Sequence, residues 1–216
     1  MHDAFILLMI GVLVAAVISF AIMGLLQRRR TRRLARKAHE MGMRFSPDDP
    51  FNVPRRYAGF AMIGCGHSPR ASNVTYGRLD GQPIRAFDFR YEVGHGTRRL
   101  TRHYSVIVCE ADSPMRPLLM WHEQDAECAP LALHGSDRRV ACWRYAGSQA
   151  GASALAAVFG PLAEEGLSLQ ISGTAVMFCV PKRRRNQAYS DRLGDLAAIA
   201  ARIPLLQAGA AAGGND

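Results

Sequence analysis

The chain has 216 residues, with 27 Lys and Arg against 18 Asp and Glu, for a formal charge of +9. Seven of the basic residues lie between positions 28 and 37, so residues 38–216 hold 20 basic and 17 acidic residues, a net of +3. The positive charge is a local feature, which argues against a nucleic-acid-binding surface spread over a fold. About 180 residues follow the apolar and basic N-terminal part, enough for one domain with a real core.

Phe5 to Leu26 reads FILLMIGVLVAAVISFAIMGLL, without a charge and with Ser19 as its single hydroxyl. As a helix it measures about 33 Å, enough to cross a hydrocarbon layer of about 30 Å. A secretory signal peptide fits less well. Its leader would be basic and its apolar run shorter, ending at small residues, whereas here MHDA precedes and Leu25, Leu26 and arginines follow. The segment is read as a signal-anchor, a single-pass transmembrane helix over 5–26.

Arg28, Arg29, Arg30, Arg32, Arg33, Arg36 and Lys37 flank its C-terminal side, and no Lys or Arg flanks the other. The positive-inside tendency predicts residues 1–4 outside and everything from about 27 in the cytoplasm. These seven side chains are the expected contacts to anionic lipid phosphates, each worth about 1 kcal/mol near such a leaflet. Gly11, Ala15 and Ser19 recur at four-residue spacing, a candidate face for homodimerisation through the membrane helix.

Residues 27–45 are expected to continue as a basic juxtamembrane helix to about Met41, with Leu34, Ala38 and Met41 as a thin apolar stripe and Gly42 as its end. The soluble α+β domain is assigned to 46–205. SPDDPFNVP (46–54) reads as a linker, Tyr57 to Ile63 as a short strand, and 64–72 as a loop. Asp80-Gly81 between 73–79 and 82–93 is a hairpin signal. Phe87, Phe89, Tyr91 and Val93 alternate with Asp88, Arg90 and Glu92, which predicts an antiparallel strand with one apolar and one solvated face.

GHGTRRLTR (94–102) is the next connector, and its glycines around His95 have the makings of an anion-binding nest. Strands are expected at 103–111, 118–123 and 138–146, and a loop with one helical turn at 124–137. A helix follows over 152–166, then a hairpin from 167–172 and 175–180. Lys182, Arg183, Arg184 and Arg185 form a basic turn, weighed as a second phosphate contact. Ser190 caps an amphipathic helix that stops at Pro204. The tail 206–216 lacks any core pattern. The fold class expected is α+β: a transmembrane helix, a mainly antiparallel sheet and two helices in the C-terminal half.

GMRFSPDDPF (42–51), the NVTYGRLDGQPIRAFDFRYEVG hairpin (73–94) and the closing Arg202-Ile203-Pro204 resemble bacterial single-pass membrane proteins of uncharacterised function. In these an N-terminal anchor and an Arg-rich helix precede a soluble domain. The resemblance implies membrane location and an α+β domain. It implies no reaction and carries over no catalytic residue.

Cys65, Cys109, Cys128, Cys142 and Cys179 are odd in number and contain no CxxC, which suits free buried thiols in a reducing compartment. Cys65-x-His67 has no second pair at zinc spacing, so no metal or cofactor site is assigned. No nucleophile, phosphate-loop or dinucleotide frame is recognisable. The expected function is that of a non-enzymatic binding or scaffold module at the inner membrane surface, with an unidentified protein partner. The alternatives are an anionic-lipid-binding peripheral domain and a tethered enzyme of unidentified chemistry.

If the small-residue face drives pairing, Gly11→Ile and Ala15→Ile abolish self-association in a membrane two-hybrid assay. An unchanged signal rules that face out.

Overall fold

The computed structural model describes residues 2–79, 81–134, 137–160, 166–182 and positions 196, 198, 200, 202 and 203. One helix, α1 (His2–Glu40), contains both the apolar segment and the basic stretch without interruption. It is long and apolar enough to cross a membrane, and the large side chains described between Met9 and Leu26 are exposed. Gly42, in the left-handed region at φ +68°, stops the helix. The Gly42 and Met43 amides bond back to the His39 and Ala38 carbonyls, the paired closure that a glycine permits at a helix end.

The domain is α+β and its sheet is wholly antiparallel. Strands β1 (Arg44–Ser46), β2 (His67–Leu79), β3 (Gln82–Val93), β4 (Leu100–Glu110), β5 (Leu118–His122), β6 (Arg139–Val140), β7 (Trp143–Gly147), β8 (Ser168–Ser172) and β9 (Ala175–Pro181) lie in the order β1-β2-β3-β4-β9-β8-β5-β7-β6. The Asp-Gly signal lies where a hairpin turns: Leu79 pairs with Gln82, and Gly81 has φ +82°. Asp80 itself lies outside the described residues. β8 and β9 form the second expected hairpin around Gly173.

Both faces of the sheet are covered. One carries Ile84, Ala86, Ile107 and Phe178 under the end of α1, helix α3 (Gln149–Phe159) and the described C-terminal positions Leu196, Ala200 and Ile203. The other carries Phe87, Phe89, Tyr91 and Val106 under the 53–65 segment and two short 3-10 turns, Glu123–Cys128 and Leu131–Leu133. Because each face has its own cover, every residue of β3 except Arg90 is buried or half-buried, and the solvated surroundings expected for Asp88 are absent: Asp88 is 8% exposed.

Four other expectations change. Tyr57 to Ile63 is a run of turns following α2 (Val53–Arg56), not a strand. Its buried residues are Tyr57, Phe60, Met62 and Ile63, of which Tyr57, Phe60 and Ile63 recur every third position, and the Phe60 and Ile63 amides bond the Tyr57 and Phe60 carbonyls. That is a 3-10 spacing, which a short apolar run does not distinguish from a strand. The 64–72 loop is strand from His67 onward, because β3 continues to Val93 and offers a partner. Arg44–Ser46 is a strand, paired with Val74–Tyr76. The 138–146 strand is divided into β6 and β7 by a turn that puts Ala141 at φ +48°. Residues 161–165 of the expected 152–166 helix, the basic turn from Arg183 on, the Ser190 cap and the 206–216 tail lie outside the described residues; Leu196, Ala198, Ala200, Arg202 and Ile203 are helical.

Candidate functional site

The end of α1 is clamped to the domain. Arg30, Leu34 and Ala38 are spaced four apart and therefore share one stripe. Leu34 and Ala38 are buried in the core cluster of the α1 face. Arg30 Nη2 lies 2.8 Å from Asp88 Oδ2, and the Lys182 ammonium holds the other carboxylate oxygen. Asn73 Nδ2 donates to Asp88 Oδ2 at 2.8 Å, and Thr31 Oγ1 donates to Asn73 Oδ1 at 3.4 Å. Period-two geometry brings these groups together. Asp88 is opposite Ser72 on β2 and Ser105 on β4, Ser105 is opposite Val180 on β9, and Lys182 comes two residues later on the same face. Burial pulls Lys182 below its ordinary value and Arg30 adds to this, while Asp88 works the other way. One carboxylate thus serves two cations, one from the anchor helix and one from the sheet.

A second feature lies on the opposite face. A groove of about 880 Å³ runs between a wall containing Gly59, Ala61 and Gly64 and a wall containing Ala129, Pro130 and Leu131. Leu118 and Leu119 of β5 and Gln170 and Ile171 of β8 also line it. Small residues keep the walls apart, and Leu131 at the rim is 82% exposed. Gln170 reaches across from the sheet and accepts from the Ala61 amide at 2.6 Å, which fixes one wall.

Behind the groove, Tyr91 and Tyr104 stack with centroids 5.7 Å apart, and the Tyr104 hydroxyl donates to Asp125. Trp121 Nε1 donates to the Asp125 carbonyl at 2.9 Å. The Cys65 thiol donates to the Ala61 carbonyl at 3.1 Å. Burial pushes Cys65 from its ordinary value near 9 up to about 12, with Cys128 and Asp125 adding to the shift. Burial likewise drives Tyr91 and Tyr104 far above the usual phenol range. The Cys65 thiol and the two phenols keep their protons at physiological pH, and a protonated thiol is a poor nucleophile.

Sequence reasoning grouped Arg30 with the lipid-facing cations, and the structure turns it to the domain. Arg28, Arg29, Arg32, Arg33, Arg36 and Lys37 are exposed on the rest of the helix surface. Gly11 has open space around it, and the Ser19 hydroxyl bonds the Ala15 carbonyl at 2.8 Å. Cys65 and His67 do not converge on a common point, since His67 packs on His95 with ring centroids 5.1 Å apart. Among the described residues no group of three His, Cys, Asp or Glu side chains is placed to hold a metal ion. Sequence reasoning missed Asp88, Asn73 and the groove. A carboxylate flanked by aromatics on a strand would have been the one available hint.

No protein-family model matches the chain, and no curated protein matches it. A solved structure does share its fold: the crystal structure of the mycobacterial trehalose monomycolate transport factor A, TtfA. The TM-score is 0.54 and the identity 11%, over 82% of this chain and 92% of that one. At that identity the likeness establishes the arrangement of chain and nothing of its chemistry.

Replacing Asp88 by Ala strands two partly buried cations, a loss of about 3 kcal/mol by the precedent of broken buried pairs. Thermal unfolding of the detergent-solubilised full chain then shifts to lower temperature, and trypsin cuts faster within 28–37 as the helix leaves the sheet. Burial pushes Cys109 to about 12 as well. Both thiols are raised on folding, so the stability they contribute is complete below about pH 9 and is lost as pH climbs towards 12. Melting temperature falls through that window, and Cys65→Ala makes the fall shallower.

Proposed function

We propose that this chain is a membrane-anchored, non-enzymatic binding module. Helix α1 crosses the bilayer once over 5–26, with residues 1–4 outside and the 46–205 domain in the cytoplasm. The observation that carries this reading is the continuity of α1: the helix that enters the bilayer is the one clamped by Asp88. A domain held this way keeps a fixed attitude to the membrane, which a flexible linker would not impose. Arg28, Arg29, Arg32, Arg33, Arg36 and Lys37 are exposed on the helix, where they meet anionic headgroups and fix topology.

The groove supports a binding role. It is concave, mostly apolar and built on rigid strands, with a few polar groups at its edge, which is the usual character of a ligand site. The apolar lining favours an apolar segment of a lipid, or of a partner that handles one, as the occupant, and the protein of like fold is a trehalose monomycolate transport factor. Tethering raises the local concentration of such a module at the surface and makes weak contacts sufficient.

Alkaline carbonate leaves the full-length chain in the membrane pellet. A reporter fused after residue 216 is active only when it functions in the cytoplasm. Extraction by carbonate, or a C-terminal reporter active only in the periplasm, defeats the proposal. Gly64→Phe and Ala129→Phe, which fill the groove, weaken capture of a photoactivatable fatty acid by the purified chain; undiminished capture removes the groove from the reading.

A further inference from the structure

We propose that the end of the sheet carrying the β3–β4 connection is a second membrane contact, lying on the anionic headgroups beside α1. The inference rests on the reading of α1 as a bilayer span, and adds which part of the domain faces the lipid.

The clamp sets the direction. Arg30 and Thr31 lie at the level of Asp88 and Asn73, and Met43 lies against Gly77, which is opposite Ile84. From Arg30 to Ala38 the helix rises about 12 Å. From Asp88 back to Ile84 the strand covers about 14 Å. The helix therefore runs roughly along β3, and its membrane-proximal end points towards Arg90 and beyond. From Arg30 to Leu26 is about 6 Å of helix, whereas from Asp88 to Val93 is about 17 Å of strand. With helix and strand parallel, the strand end would reach about 11 Å past the level of Leu26. The crossing of helix and twisted strand and a helix tilt of about 20° both shorten that reach and draw the tip back towards the headgroup layer, roughly 5–8 Å deep.

The chemistry of this end matches the location. Arg70, Arg90, Arg98, Arg99 and Arg102 gather there through the β2–β3–β4 register. Two carboxylates offset them: Glu92 pairs with Arg99 at 3.1 Å, and Glu127 pairs with Arg102 at 3.0 Å. Arg90 and Arg98 are exposed, and no carboxylate partner is found for them among the described residues. Leu100, opposite Val93 at the strand end, is half-exposed, an apolar side chain set among arginines. Gly94 holds the connection tight at φ +82°, where a Cβ would lie 2.6 Å from the Arg98 carbonyl. A compact basic tip with one protruding leucine fits the boundary between phosphates and acyl chains. Lys182, the basic residue first expected to serve this purpose, is taken up by Asp88.

The test uses the full chain in proteoliposomes. Leu100→Trp places a fluorophore at the tip, while the native Trp121 and Trp143 are buried in the core. Vesicles containing phosphatidylserine with brominated acyl chains are expected to quench the added emission. Amide exchange in 94–102 is expected to slow about fivefold or more relative to neutral vesicles, the size of one arginine's attraction to such a surface. Arg90→Glu with Arg98→Glu, both at exposed positions, removes that slowing without lowering the melting temperature. A chain that resists carbonate yet shows an unquenched Trp at position 100, or equal exchange in anionic and neutral vesicles, overturns the inference and leaves the anchor standing. A chain stripped by carbonate overturns both.

Discussion

One carboxylate holds the molecule's two parts in register. Asp88 sits almost buried in the middle of β3, where an unpaired charge would cost several kcal/mol. Arg30 from the anchor helix and Lys182 from the last strand neutralise it, and Asn73 takes up a further lone pair. A buried arrangement of this kind adds little net stability over an apolar equivalent, but it penalises every docking that leaves a charge unmatched. Leu34 and Ala38 supply the apolar burial, and the charges supply the register. The result is an apolar N-terminal helix held in a defined register against its domain.

From that register the two candidate surfaces acquire positions. The α1 face of the sheet is committed to the helices. The opposite face keeps a groove because Gly59, Ala61, Gly64 and Ala129 are too small to fill it. Its lining is mostly apolar, and the Cys65 thiol in it keeps its proton, so the groove suits holding an apolar ligand. The basic end of the sheet lies on the side to which the helix points. Anchor, groove and tip are thus three consequences of how one helix lies on one sheet.

Much of the local structure was legible. The Asp80-Gly81 hairpin, the β4 and β8–β9 strands and the Gly42 stop follow from turn chemistry, alternation and capping, which act over a few residues. The misreadings share a cause. Tyr57, Phe60 and Ile63 repeat every third residue, and seven apolar-rich positions cannot separate a 3-10 run from a strand. Asp88 and Arg90 alternate with aromatics as a solvated face would, yet a second layer covers Asp88. Arg30 looks like its six basic neighbours, and only its place on the Leu34–Ala38 stripe sets it apart.

By itself the sequence determined that an apolar rod is followed by a basic collar, and that an α+β domain with antiparallel pairing comes after. Those properties depend on composition and on neighbours in the chain. Tertiary structure alone decided which arginine leaves the collar for a carboxylate 58 residues away, where small residues leave a groove, and which end of the sheet the helix points towards. These depend on strand order and register, and β9 returning beside β4 joins segments that no local pattern connects.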